Sequence, residues 1–255
     1  LYITCKKNNI ECAKILIKNG ADVNKCKNGG FSPLYIACEN NNIECAKILI
    51  ENYADVNKYR DDNTSPLYIA CQKNHFECLK FLIENGSDIN KCRNGGYSPL
   101  YVTCQNNNIK CFKILIKNGV DINKCSDDDT SPLYVACYSS NIECLKILIE
   151  NGADINKCCD DDTSPLFIAC QNNYIECLKI LIENSADINK CRFGGYSPLY
   201  TTCIYDNIEC FKILIENDVD VNKYSDQNVS PLYVVCNNNN IEFLKILIEN
   251  GADIN

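Results

Sequence analysis

The sequence predicts an all-α repeat solenoid of stacked helix–turn–helix units, and three observations support this fold class. All seven prolines of the 255-residue chain stand 33 residues apart, at Pro33, Pro66, Pro99, Pro132, Pro165, Pro198 and Pro231. A period of about 20–50 residues is typical of solenoids, propellers and arrays. Between prolines, apolar residues recur at the spacing of two short helices. Hydrophobic residues make up 46% of the chain, which is enough for a continuous core.

The period divides the chain into one predicted domain of eight units. Their expected boundaries are 1–24 (partial), 25–57, 58–90, 91–123, 124–156, 157–189, 190–222 and 223–255. Positions below are numbered from each unit's proline as position 0. Leu1 and Ile3 follow the internal pattern, whereas the end unit of a solenoid normally has a polar outer face. We therefore expect the chain to be an uncapped segment of a longer array.

The first helix of a unit is predicted from Ser131–Pro132, because serine is a good N-cap and proline suits the first helical turn. It is expected to span 132–139. Position +8 is mostly asparagine, which tolerates the left-handed backbone that ends a helix.

The second helix is predicted over 142–150, with Asn141 at +9 as its expected N-cap. Its charged stripe of Glu143, Lys146 and Glu150 is interpreted as a solvated face. Gly152 is expected to end it in a left-handed conformation.

The 21 cysteines are predicted to be structural thiols. Cysteine fills +5 in eight units and +12 in seven, and buried free cysteine behaves as a small hydrophobe. A bridge between +5 and +12 of one unit stays open, whereas bridges along a column are disfavoured by the helix-packing distance. Reduced thiols favour an intracellular, cytoplasmic location. The loop residues Cys158 and Cys159 are the predicted candidates for reactive thiols.

The repeated motif resembles that of the ankyrin repeat. Ser131–Cys137 reads Ser-Pro-Leu-Tyr-Val-Ala-Cys, close to the Thr-Pro-Leu-His-x-Ala-Ala opening of that family. Asn151–Asn156 matches its Gly-Ala-Asp-Val-Asn close. The resemblance implies ankyrin-type units with hairpin finger loops before each proline. It also implies a protein partner bound by the concave helix face and the finger tips.

Other function classes find little support in the sequence. The net charge of −8 argues against a nucleic-acid surface, and no apolar run reaches the roughly 18–20 residues of a membrane helix. No catalytic residue, cofactor or metal ligand set is predicted, because the lone His75 has no neighbouring nucleophile and no Cys-x-x-Cys occurs. The protein is therefore expected not to be an enzyme.

Candidate partner-binding residues lie where the units differ. The fingers are either basic and glycine-rich (Lys27–Phe31, Arg93–Tyr97, Arg192–Tyr196) or acidic (Arg60–Thr64, Ser126–Thr130, Cys159–Thr163). The acidic tips favour a partner with a basic patch. The predicted contact residues are Asp127, Asp128, Asp129, Tyr138, Ser139, Asp160, Asp161, Asp162, Phe193, Tyr196, Ile204 and Tyr205. Tyr196 has the alternative of packing against its own finger.

Three further interpretations remain open at this point. The near-identity of the units also suits a structural spacer or scaffold segment that contacts only flanking repeats of its own chain. The thiols could serve as a redox or metal buffer. Calcium binding by Asp128 and Asp161 competes with a solvated turn, because no 12-residue EF-hand pattern follows either residue.

Overall fold

A computed structural model describes all residues, 1–255, and contains sixteen α-helices and no β-strand. The all-α repeat prediction is therefore confirmed. The helices are α1 (Tyr2–Lys6), α2 (Ile10–Lys18), α3 (Pro33–Glu39), α4 (Ile43–Glu51), α5 (Pro66–Gln72), α6 (Phe76–Glu84), α7 (Pro99–Gln105), α8 (Ile109–Lys117), α9 (Pro132–Tyr138), α10 (Ile142–Glu150), α11 (Pro165–Gln171), α12 (Ile175–Glu183), α13 (Pro198–Tyr205), α14 (Ile208–Ile215), α15 (Pro231–Asn237) and α16 (Ile241–Glu249). No helix is both long enough and apolar enough to span a membrane.

Each 33-residue period is called a repeat below. The chain forms two compact units of four helix pairs each: the first unit is Leu1–Asp128 with α1–α8, and the second unit is Asp129–Asn255 with α9–α16. Within each unit, every helix pair packs against the next pair along the chain. Neither helix of a pair exceeds nine residues, which is too short for independent stability in water. Their stability therefore comes from burial between neighbouring repeats.

The predicted serine cap is present in every repeat that has a proline. In α9, the Ser131 hydroxyl accepts a hydrogen bond from the Tyr134 backbone N–H at 3.1 Å, and Pro132 follows as the first helical residue. The helix ends at Tyr138, one residue before the predicted end. The second helix of this repeat, Ile142–Glu150, has the predicted bounds.

The turns adopt the left-handed conformations that the sequence predicts. Position +8 has a positive φ in every repeat, for example +57° at Asn41 and +52° at Ser140. The residues that replace glycine after the second helix, Tyr53, Ser185 and Asp218, have φ values of +66°, +65° and +56°. Each of these costs roughly 1 kcal/mol relative to glycine.

Cysteine columns lie in the core of both units. Cys38 at +5 and Cys78 at +12 are fully buried, and most of their equivalents are buried too. Interaction with the Cys78 thiol and complete burial raise the pKa of the Cys38 thiol well above its usual value. The +5 thiol therefore meets the +12 thiol of the following repeat, not that of its own.

Position +9 does not cap the second helix as predicted, except at Asn240. The Nδ2 of Asn42 instead donates to the backbone carbonyl of Cys5 at 2.7 Å. Asn108 and Asn207 make the same bond to the carbonyls at +5 of their preceding repeats. The asparagine at +9 therefore joins two repeats. The cap prediction failed because an asparagine that caps a helix and one that donates to the preceding repeat look the same in the sequence.

A second asparagine also joins the repeats. The Oδ1 of Asn24 accepts from the Asp55 N–H at 2.9 Å, and Asn57 accepts from Asp88 at 2.8 Å. The same bond recurs between residues 31 positions apart at Asn189. Polar ties of fixed spacing therefore reinforce the apolar contacts between neighbouring repeats.

Candidate protein-interaction surface

The finger loops fold into hairpin turns of two kinds. In the glycine-rich kind, the Lys27 N–H donates to the Phe31 carbonyl at 2.9 Å. Gly29 has a φ of +85°, as the third residue of a type II turn requires. In the acidic kind, the Arg60 N–H donates to the Thr64 carbonyl at 3.0 Å across a three-residue loop.

The left-handed position of the acidic loops explains part of their composition. Its occupants are Asn63, Asp129 and Asp162, and Asn228 takes the same position in the finger Ser225–Val229; the φ values are 55° to 62°. Asparagine and aspartate tolerate this conformation better than most residues. Two of the predicted contact residues, Asp129 and Asp162, therefore have a structural role in the turn.

The residue four positions before each proline varies together with the residue two positions before it, because the two are in contact. A Cβ added at Gly95 would lie 2.5 Å from the Tyr97 ring, and one at Gly194 would lie 2.7 Å from the Tyr196 ring. In the acidic fingers, the carboxylate at the corresponding position accepts the threonine N–H instead, as Asp161 does from Thr163 at 3.2 Å. The aromatic residue thus requires glycine, whereas threonine accompanies aspartate.

Backbone hydrogen bonds link successive fingers within each unit. The Asn94 N–H donates to the Asp62 carbonyl at 3.0 Å, and the Asp127 N–H donates to the Gly95 carbonyl at 3.0 Å. The Phe193 N–H donates to the Asp161 carbonyl at 3.1 Å. This bond brings together two of the predicted contact residues. The fingers are therefore tied in rows.

Several of the predicted acidic contacts have partners inside the protein. Arg192 Nη2 lies 2.6 Å from Asp161 Oδ2, and Lys157 Nζ lies 3.1 Å from Asp129 Oδ1. Asp128 accepts a hydrogen bond from the Ser126 hydroxyl. Burial would raise the pKa of Asp161, but hydrogen bonds from Thr163 and Cys159 and the charge of Arg192 lower it to about 2.

The contacts of Asp161 argue against calcium binding and against a basic partner at the finger Cys159–Thr163. Asp161 is already occupied by Arg192, Thr163 and Cys159, and no group of three or more metal-ligating side chains is arranged to hold an ion. The exposed carboxylates of Asp127, Asp160 and Asp162 remain accessible to a partner.

The predicted apolar contacts are mostly exposed. The exposed fractions are 57% for Tyr138, 77% for Phe193, 45% for Ile204 and 54% for Tyr205. Tyr138 stacks on Tyr134 with ring centroids 6.3 Å apart. Ser139 is half-buried at the end of α9. These residues occupy +6 and +7 of the first helices, apart from Phe193 on its finger.

Tyr196 differs from this group because it packs within its own finger. Its ring is half-buried above Gly194 and lies 5.2 Å from the Tyr200 ring, centroid to centroid. The position of Tyr196 therefore agrees with the alternative that it packs against its own finger.

The environment of Cys158 and Cys159 argues against the reactivity predicted for these two thiols. Both thiols are partly buried, and burial raises the pKa of each above the usual value of 9.0. The thiolate is the reactive form, so this shift lowers their reactivity at neutral pH. Cys12 and Cys236 are the exposed thiols of the chain.

Sequence reasoning missed a polar groove in the first unit. Its cavity of about 260 Å³ lies between the first helices α5 and α7 and the intervening finger. The lining residues are Tyr68, Gln72, Arg93, Tyr97, Tyr101 and Gln105. They come from −6, −2, +2 and +6 of successive repeats. The sequence signal for this groove is the glutamine at +6. Its contribution to the groove could not be predicted, because it depends on which arginine lies opposite in the folded chain.

Sequence and structure comparisons assign the family. The family model described as ankyrin repeats (3 copies) matches residues 1–60, 55–126, 121–191 and 166–255, so the chain belongs to the ankyrin-repeat family. The crystal structure of the human ASB11 ankyrin repeat domain is similar, with a TM-score of 0.75 and 24% sequence identity. The match covers 88% of this chain and 100% of that domain, and it supports the fold alone. A search of curated protein sequences found no match. Ankyrin repeats are generally protein-interaction modules.

Proposed function

We propose that this protein is a non-catalytic interaction module that binds a protein partner through +6 and +7 of its first helices and its finger tips. The observation that carries the proposal is the exposure of Tyr138, Ile204 and Tyr205. Sibling repeats place amides such as Gln72, Gln105 and Asn172 at these positions. Exposed aromatic residues often anchor protein interfaces.

Charge supports a minor part of the proposal. Asp127, Asp160 and Asp162 are exposed on fingers, and the chain carries a net charge of −8. A partner with a basic patch would be attracted to such tips, mainly through its association rate. Nucleic acid would be repelled by the same charges.

The test replaces the three exposed residues with those of sibling repeats. In Tyr138→Gln, Ile204→Gln and Tyr205→Asn combined, each new residue already occurs at its position elsewhere in the chain. We expect the folded variant to lose proteins that the wild type captures from cell lysate. The thermal unfolding midpoint shows whether the fold is retained.

A matched control removes an exposed aromatic residue elsewhere. Tyr53 is 91% exposed after α4, and Tyr53→Gly restores the residue found in sibling repeats. This variant should capture the same proteins as the wild type. If the triple variant also captures them all, this binding surface is wrong. Capture of no protein by the wild type itself would support the spacer interpretation.

A further inference from the structure

The groove of the first unit contains only side chains that can donate hydrogen bonds. Tyr68, Tyr97 and Tyr101 contribute hydroxyls, Gln72 and Gln105 contribute amides, and Arg93 contributes its guanidinium. None of the six carries a negative charge. Burial raises the pKa of Tyr68, and burial with the nearby Tyr97 and Asp128 raises that of Tyr101 to about 12, so both hydroxyls stay protonated.

Arg93 is incompletely neutralised inside the protein. Its Nε lies 3.4 Å from Asp62 Oδ2, and this buried nitrogen has no aligned hydrogen-bond acceptor. Arg60 shares the same carboxylate at 3.6 Å. Two guanidinium groups therefore compete for one aspartate, while 41% of the Arg93 side chain is exposed.

The preceding repeat shows how such a groove is neutralised within the chain. Arg60 holds the position that Arg93 holds one repeat later. Its Nη1 contacts the Tyr35 hydroxyl at 3.4 Å, and Arg93 interacts in the same way with the Tyr68 hydroxyl. Glu39 lies close enough to interact electrostatically with Arg60. Its equivalent 33 residues later is Gln72, so the second groove has the arginine without the glutamate.

We infer that the groove around Arg93 binds the carboxylate of a glutamate or aspartate side chain from a protein partner. The partner's carboxylate would occupy the role that Glu39 has beside Arg60. Charge-assisted hydrogen bonds from a guanidinium to a carboxylate are among the stronger polar contacts in proteins. The cavity of about 260 Å³ has room for a carboxylate side chain.

The second unit contains an equivalent set that lacks these properties. Arg192 lies 2.6 Å from Asp161 there. Phe167 and Ile204 stand where the first unit has Tyr68 and Gln105, so two of the six positions cannot donate. This set therefore provides a matched internal control.

The inference rests on the proposed binding function, but its test needs no natural partner. The probe is N-acetylglutamate α-amide, titrated against isotope-labelled protein while NMR follows Arg93 Nε–H and the Gln72 and Gln105 side-chain amides. N-acetylglutamine α-amide is the uncharged comparison, and N-acetylglycine offers a terminal carboxylate instead. We expect the glutamate probe to bind at least about tenfold more tightly than the glutamine probe.

Two variants and one control sharpen the result. Arg93→Gln should abolish the preference for glutamate. Gln72→Glu supplies the missing internal carboxylate and should weaken binding of the probe by about tenfold or more. Gln171→Glu makes the same charge change at the equivalent place in the second unit, and the affinity of the Arg93 groove should stay unchanged.

Equal affinity for the glutamate and glutamine probes would overturn the inference, as would no perturbation at the highest soluble concentration. Wild-type affinity in Gln72→Glu would also contradict it. Tighter binding of N-acetylglycine would exclude a side chain as the source of the carboxylate. If these outcomes occur while partner capture still depends on Tyr138, Ile204 and Tyr205, the proposed function stands without this site.

Discussion

The Nδ1 of His75 lies 2.9 Å from the backbone carbonyl oxygen of Cys38, one repeat earlier in the chain. Asn42 and Asn108 place an amide nitrogen 2.7 and 2.8 Å from the equivalent carbonyls. A carbonyl only accepts hydrogen bonds, so Nδ1 must carry the proton. The only histidine of the chain therefore does the work of an asparagine in joining two repeats.

This equivalence predicts the effect of two substitutions at position 75. His75→Asn should keep the free energy of unfolding within about 0.5 kcal/mol of the wild type, because Asn42 makes the same bond. His75→Ala should lose about 1–3 kcal/mol, because the Cys38 carbonyl loses its donor. Urea denaturation measures both, and equal losses would show that the hydrogen bond is unimportant.

The aromatic glycine fingers predict a difference between two Gly→Ala variants. Gly95 and Gly119 both have positive φ, so alanine costs about 1–2 kcal/mol at either. A Cβ at Gly95 would also lie 2.5 Å from the Tyr97 ring, whereas nothing lies within 4 Å at Gly119. The free energy of unfolding of Gly95→Ala should therefore be lower than that of Gly119→Ala by about 1–3 kcal/mol. Matching urea midpoints would contradict the proposed ring contact.

The hydrogen bonds of Asp161 with Thr163 and Cys159, together with its ion pair with Arg192, predict a pH-dependent stability. The folded pKa of Asp161, about 2, is below its ordinary value of 3.8, so its contribution is present above pH 3.8. The contribution is lost as the pH falls from 3.8 through 2. Asp161→Asn should cost a few tenths to about 1 kcal/mol at pH 7, the range of exposed ion pairs.

Unfolding curves at several pH values test this sign. The difference between Asp161→Asn and the wild type should shrink as the pH falls below 3.8. A difference that stays constant down to pH 2 would mean that the ionised carboxylate contributes nothing.

The thiols predict an order of chemical modification. Cys12 and Cys236 are exposed and should react with iodoacetamide first. Cys158 and Cys159 should react more slowly at pH 8, because burial raises the pKa of each above 9.0. Their rates should rise steeply as the pH passes 9. Peptide mass spectrometry reads the order, and early labelling of Cys158 would contradict it.

The sequence predicted the fold well because each helix carries its own signals. Ser131 and Pro132 define the start of α9, and the left-handed Ser140 lies just beyond its end. The roles of individual polar residues were less accessible. Nothing in the sequence separates an asparagine that caps its own helix from Asn42, which bonds to a carbonyl 37 residues away.

The candidate surface was predicted only in part for a similar reason. Exposure of Tyr138 and Tyr205 follows from their position on a helix, but the charge around Asp161 depends on an arginine in the next finger. The groove at Arg93 was not found, because its lining comes from two repeats and their finger. To predict which residues meet across a repeat boundary, one needs to know the register in which neighbouring repeats pack.

The fixed spacing of the inter-repeat bonds has a consequence for how such a chain can change. Asn24 reaches Asp55 across 31 residues, and Asn42 reaches Cys5 across 37. A copied segment of 33 residues therefore contains both the donor and the acceptor that a new junction needs, and an excised one removes both. Gene duplication or deletion in steps of one repeat can thus change the length of the array without evolving a new interface.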